Sequence, residues 1–222
     1  MAAPRWVGST PAPLRLTNTA DIATDLDAAR RGSSTIPSRR GTEQALSLDS
    51  AYELGRNLED QRVPEGWHPA GWKLGFTNQA LWSNIGLDRP ICARIYRETL
   101  CAGSLETAQL VQPRIEHEIV VAIGADLPQG SDADTIAAAI EWVAAVLLRD
   151  GVLAATGHGA NVLGGPVNAL DWLLRGLPSG LRAGEIVTTG TVTEALPVEP
   201  GQHWTHCLTA SVAVEPAELT FR

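Results

Sequence analysis

The stretch Gln112-Pro113-Arg114-Ile115-Glu116-His117-Glu118-Ile119-Val120-Val121-Ala122-Ile123-Gly124 constrains the fold more than any other part of the chain. Proline opens a strand more readily than it continues a helix, glycine closes one, and the residues between are rich in β-branched side chains. Side chains alternate along a strand, so Glu116 and Glu118 share one face while Ile115, His117 and Ile119 share the other. Two carboxylates therefore fall in one small volume. If buried, one of them must take up a proton, or a cation must sit between them. Oxygen-only ligation suits Mg²⁺ or Mn²⁺ rather than zinc. An acidic edge strand facing water is the simpler alternative. His117, on the opposite face, reads as a packing histidine.

The second constraint is one of scarcity. Of 17 Lys plus Arg, only Lys73 is lysine, within Gly71-Trp72-Lys73-Leu74-Gly75. Arginine serves wherever charge alone matters, but it stays protonated; a desolvated lysine can give up its proton. Lys73 is therefore a candidate acid or base, against the alternative that it survives by chance. Gly71 to Phe76 reads as a short strand and Asn78 to Ile85 as a short helix ended by Gly86.

Elsewhere the pattern alternates between helix and strand. Residues 1–19 read as a loose tail. Asp21 to Arg31 has helical spacing and ends at Gly32, and a second helix starts at a Ser47 or Asp49 cap and ends near Val63-Pro64. Ser131 to Leu148 reads as the clearest helix, with Ile136, Ala139, Ile140, Val143, Val146 and Leu147 as its apolar face. A further helix spans about Val167 to Leu177. On these assignments Trp142 and Trp172 are helical packing residues. Glu185–Thr191 and Leu208–Val214 read as strands, separated by the Glu199-Pro200-Gly201 turn. The class is α+β with a mostly β core, a single domain over 20–222 whose residues 20–70 are helical and whose residues 71–222 form the β part.

A formal charge of −8 argues against a nucleic-acid partner, which calls for a basic face. Cys92, Cys101 and Cys207 lack metal spacing and are odd in number, which suits reduced structural thiols. The N-terminus lacks the apolar core of a signal peptide and no run is long enough to span a bilayer, so a cytoplasmic protein is expected.

Several segments together resemble the 2-keto-4-pentenoate hydratase and 4-oxalocrotonate decarboxylase family of the fumarylacetoacetate hydrolase superfamily. They are Leu46 to Tyr52, Gly71 to Thr77, Gln112 to Ile119, Gly157 through Leu163-Gly164 and Asn168-Ala169 to Trp172-Leu173, and Leu181 to Gly190. The resemblance implies a twisted mixed β-core or barrel of the superfamily's C-terminal type, shortened, with N-terminal helices. It implies a lyase acting on a short 2-oxo or 2-hydroxydienoic acid, with Lys73, Glu116 and Glu118 in the chemistry and Mg²⁺ or Mn²⁺ on the two glutamates. Trp72, Leu74, Arg94, Arg97 and His158 are expected to border the substrate.

Two departures follow. Where the family places a third metal carboxylate this chain reads Leu148, with Asp150 two residues on as the substitute. A segment the family carries before the Gly157-x-Gly159 turn is missing. The trimmed site therefore also suits a metal-independent cyclase or isomerase in a biosynthetic pathway, or a non-catalytic partner of a decarboxylase or hydratase. A shortened core leaves apolar surface, so a homodimer or larger assembly is expected.

Overall fold

Asn18 and Ser47 start the two N-terminal helices in the same way: each side chain accepts a hydrogen bond from a backbone N–H of the first turn, Asp21 and Ser50 respectively. Helix α1 spans Thr19–Arg31 and α2 spans Leu48–Arg62. Ile22, Ala23 and Leu54 close the contact between them, flanked by Leu26 and Leu58. Asp27 is buried against them and bonded to Arg31 and Arg62, so its carboxylate is neutralised from two sides. The computed structural model describes residues 18–38, 46–144, 148–149, 152–155, 157–205 and 218–222. These form two compact units: residues up to Gly66 with Ala108–Val111, and Trp67–Thr107 with the chain from Gln112 onward.

The second unit runs β1 (Pro69–Gly75), α3 (Trp82–Ile85), β2 (Ile91–Tyr96), β3 (Gly103–Leu105), β4 (Arg114–Ile115), β5 (Glu118–Ile123), α4 (Ala133–Ala138) and β6 (Ile140–Ala144). It continues with β7 (Leu148–Arg149), β8 (Val152–Leu153), α5 (Pro166–Arg175), β9 (Ile186–Thr191), β10 (Leu196–Pro197), β11 (His203–Thr205) and β12 (Glu218–Phe221). One five-stranded sheet has the order β2-β1-β9-β5-β6, a second the order β3-β12-β11-β7-β8, and β10 pairs with β4. Each large sheet is mixed, with one parallel pair: β1 with β9 and β12 with β3. The class is α+β, as expected, but the described strands form open sheets and no closed barrel. No helix among the described residues is long and apolar enough to cross a membrane.

The first sheet packs one face on α4 and α5. Leu74, Ile119, Val121 and Val187 from the strands meet Ile136, Ala169, Leu170, Leu173 and Leu174 from the helices. Close approach of β1 and β9 depends on Gly71, at φ +151°: a Cβ there would stand 1.8 Å from the Ile186 carbonyl oxygen.

Two sequence expectations change. The helix expected over Ser131 to Leu148 stops at Ala138; Ile140 onward is β6, hydrogen-bonded to β5. Ile140 and Val143 share a helical stripe but fall on opposite faces of a strand; pairing with β5, which satisfies the backbone of this segment, decides for the strand. Trp142 is thereby a strand residue, opposite Ala122, rather than a helical one. The strand expected over Gln112 to Gly124 is broken at Glu116-His117, and its halves, β4 and β5, lie in different sheets. Leu208–Val214, His206, Cys207 and Asp150 lie outside the described residues.

Candidate functional site

Strand β1 sets Lys73 on the face opposite Leu74. Its register partners are Ala93 on β2 and Thr188 on β9, and Thr188 is in turn the partner of Val120 on β5. Register partners project on the same side, and Glu118 is one strand repeat before Val120. Lys73, Thr188 and Val120 therefore form a row on the sheet face away from the core, and Glu118, beyond a register shift and opposite Thr191, joins it through its bond to Lys73. The break between β4 and β5 brings Glu116 to the same place.

The Lys73 Nζ donates to Glu116 Oε2 at 3.0 Å and to Glu118 Oε1. The three side chains differ in exposure: 46% for Lys73, 38% for Glu116 and 9% for Glu118. Their acidities diverge accordingly. Burial alone would lower the Lys73 ammonium, but the charges of Glu118 and Glu116 outweigh it and hold it above the ordinary lysine range. Burial works against ionised Glu116 too, and is outweighed by Lys73, so that carboxyl lies below its ordinary value. Glu118 is the most deeply placed, and burial pushes its carboxyl up despite Lys73. The result is one protonated amine, one ionised carboxylate and one carboxyl that exchanges a proton at a raised pH. Glu118 Oε2 is buried and makes no hydrogen bond.

Of the sequence candidates, Lys73, Glu116 and Glu118 are brought together. Leu74 is fully buried in the core, on the other face. Trp72 shares that other face, with the Arg94 guanidinium 3.9 Å above its ring, and Arg94 is bonded to Glu185 at 3.1 Å. Strand alternation sets Trp72 and Leu74 on the face opposite Lys73, and Arg94 joins them there as the register partner of Trp72. Arg97 is exposed in a short 3₁₀ turn whose backbone N–H bonds to the His68 carbonyl. His158 is exposed just before another 3₁₀ turn, Gly159–Asn161. His117 is buried, in the break between β4 and β5. Sequence reasoning missed Thr188. The signal available was a polar residue in the apolar run Ile186-Val187-Thr188, at a position with its own parity.

This fold is that of the fumarylacetoacetate hydrolase superfamily. The solved 4-oxalocrotonate decarboxylase from Pseudomonas putida, complexed with magnesium and adipate, superposes with a TM-score of 0.82 over 92% of this chain and 97% of that one, at 20% identity. The fumarylpyruvate hydrolase from Pseudomonas aeruginosa, solved with Mn²⁺ and pyruvate, gives 0.53 over 68% of this chain and 88% of that one, at 14% identity. Within the superfamily the sequence resembles the 2-keto-4-pentenoate hydratases and 4-oxalocrotonate decarboxylases. The Burkholderia vietnamiensis 2-keto-4-pentenoate hydratase is 26% identical over 227 positions, covering 78% of this chain and 87% of that enzyme. That alignment is longer than the 222-residue chain, so the hydratase carries residues with no counterpart here. No family model matches the chain.

Proposed function

We propose that the chain is a hydratase-like lyase acting on a short 2-oxo or 2-hydroxydienoic acid, with Lys73 as proton carrier and Glu116 and Glu118 as its partners. The observation that carries this reading is the ammonium of the only lysine bonded to two carboxylates of opposite acidity shift, on the open face of a sheet. The names of the relatives, hydratases and a decarboxylase acting on 2-oxo acids, support the substrate class.

Lys73, held protonated, gives its proton to carbon as a dienol becomes a ketone. Ionised Glu116 keeps the ammonium in place, and Glu118 accepts and returns the proton of water. Proton transfer by a positioned group is worth on the order of 10² to 10⁴ in rate.

A divalent ion such as Mg²⁺ or Mn²⁺ would fall to Glu116 and Glu118. Both are already bonded to Lys73, and among the described residues no group of three His, Cys, Asp or Glu side chains gathers to hold a metal. Asp150, the substitute third donor, lies outside the described residues; within them the Lys73 ammonium supplies the positive charge between the two carboxylates. The same observation favours a second reading, a metal-independent isomerase or cyclase using the same three side chains.

Turnover of 2-hydroxypenta-2,4-dienoate, followed by loss of its ultraviolet absorbance with and without EDTA, tests these points. Hydration that survives the chelator is the expected outcome. Loss with EDTA and recovery with Mg²⁺ would assign the carboxylates to a metal; no hydration with Mg²⁺ and Mn²⁺ present would sink the hydratase reading. Phe76, Leu81 and Ile85, exposed just after β1, give apolar surface that supports a homodimer or larger assembly, which light scattering checks.

A further inference from the structure

The open face of the first sheet is polar on one side of Lys73 and apolar on the other. Toward β9 and β5 lie Thr188 and the two glutamates that Lys73 bonds. Toward β2, the register partner of Lys73 is Ala93, and Gly75, two residues along β1 and so on the same face, is opposite Ile91. The parity is confirmed by Cys92, between Ile91 and Ala93, which packs against the core on the other face. Ala93 is exposed and Ile91 half-buried. A Cβ at Gly75 would meet Ile91 Cγ1 at 3.4 Å and Ile91 Cδ1 at 3.9 Å and, its chain neighbours aside, nothing else within 4 Å. Glycine thus leaves a gap beside Lys73 that any other strand residue would fill, walled by an isoleucine and continued by the methyl of Ala93. The nearby cations are turned elsewhere: Arg94 is bonded to Glu185 on the other face, and Arg89 to Asp88.

We infer that Gly75, Ala93 and Ile91 are the specificity-determining residues for the far end of the 2-oxo acid, and that this end is a short alkyl group rather than a second carboxylate. The inference rests on the proposed substrate class, since that reading places the acid at Lys73. With the reacting carbons held there, the chain runs toward β2, because the β5 side is occupied by charge. Two residues along a strand advance about 6.6 Å, the reach of a short alkyl chain. An alkyl end covers Ile91 and Ala93 and removes their surface from water. A carboxylate at the same place would lose water and meet only methyl and methylene groups. One methylene in an apolar pocket is worth about 10- to 200-fold in discrimination, and a gap open to solvent on one side gives the low end of that range.

Calorimetric binding of three unreactive acids to the full chain, in buffer containing Mg²⁺, reads the subsite apart from turnover. 2-Oxooctanoate is expected to bind ~10-fold more tightly than 2-oxopentanoate, and the dicarboxylate 2-oxohexanedioate no more tightly than 2-oxopentanoate. Gly75→Val, which fills the gap, and Ile91→Ala, which removes its wall, are each expected to abolish the preference for the longer acid; if the valine variant does not fold, Ile91→Ala decides. Equal affinities in the wild type, binding of none of the acids, preference for the dicarboxylate, or a preference unchanged in the variants overturns the inference. So does a preference lost only together with a change of assembly size in light scattering, which makes this side an interface between copies. Hydration of 2-hydroxypenta-2,4-dienoate and 2-hydroxyocta-2,4-dienoate then separates the two readings. The same preference, carried by KM, supports both. Length-dependent binding with neither dienoate hydrated supports the subsite and overturns the hydratase reading, whereas hydration without a length preference overturns the subsite alone.

Discussion

The two faces of the first sheet each carry a cation paired with acid, and they are built differently. On the core side Arg94 stacks on Trp72 and bonds to Glu185, whose second oxygen accepts the Arg182 backbone N–H. Each charged group there is used up by a neighbour, and the arrangement ties β2 to the start of β9. On the open side one amine meets two carboxylates, and one carboxylate oxygen is buried with no bond. A planar guanidinium suits a fixed clamp, whereas the compact Lys73 ammonium, held protonated by Glu118 and Glu116, is shared between two acids.

Substitution at Lys73 is the strongest way to break this contrast. Lys73→Met is expected to lower hydration by about 10² to 10⁴, and Lys73→Arg to lower it comparably while retaining the ion pairs, because arginine does not release its proton. If Lys73→Arg turns over like the wild type, the amine is only a structural charge and the two faces are alike. Glu118→Gln comes next: hydration assays should show a loss of at least ~10², with a cooperative melt preserved, since Glu116 still holds Lys73.

The pH profile sharpens the difference between the acids. In the proposed mechanism Glu118 must be ionised to accept a proton and Lys73 charged to give one, so the acid limb of kcat should lie above the ordinary carboxylate range and the alkaline limb above the ordinary lysine range. For stability the signs differ. Lys73, raised on folding, contributes stability that is complete below its unfolded value and lost as pH rises through the folded one. Glu116, lowered on folding, contributes stability above its unfolded value that is lost as pH falls through the folded one. Thermal melts of Glu116→Gln should therefore lose part of the wild type's acid sensitivity; an unchanged acid limb would place Glu116 outside the ion pair. The smallest effect belongs to the other face. Arg94→Lys is expected to cost about 0.5–1 kcal/mol in urea unfolding, from the weaker stacking on Trp72, and to leave hydration intact. A large activity loss there would join the two faces into one site.

Much of this was legible in the chain. The lone lysine, the carboxylates at alternate positions and the helices capped by Asn18 and Ser47 follow from local chemistry, because capping and strand parity act over a few residues. The apolar spacing of region 131–148 is that of a helix, and only pairing with the β5 backbone selects β6 from Ile140. Trp72, Leu74 and Arg94 were placed at the site from their closeness in sequence to Lys73 or from family position, although strand alternation alone sets the first two opposite it.

The sequence by itself determined which groups are available: one amine that can lose a proton, two acids on one face, a glycine where two strands nearly touch. Tertiary structure decided their partners. Lys73 and Glu118 are 45 residues apart, and Thr188 comes between them only because β9 inserts between β1 and β5. Such pairing depends on the hydrogen-bond needs of whole strands and on burial of the opposite face, which no local pattern records. Burial depth also separates the two glutamates. They are equivalent in the sequence, and the fold lowers the titration range of one, beside Lys73, while burial raises that of the other.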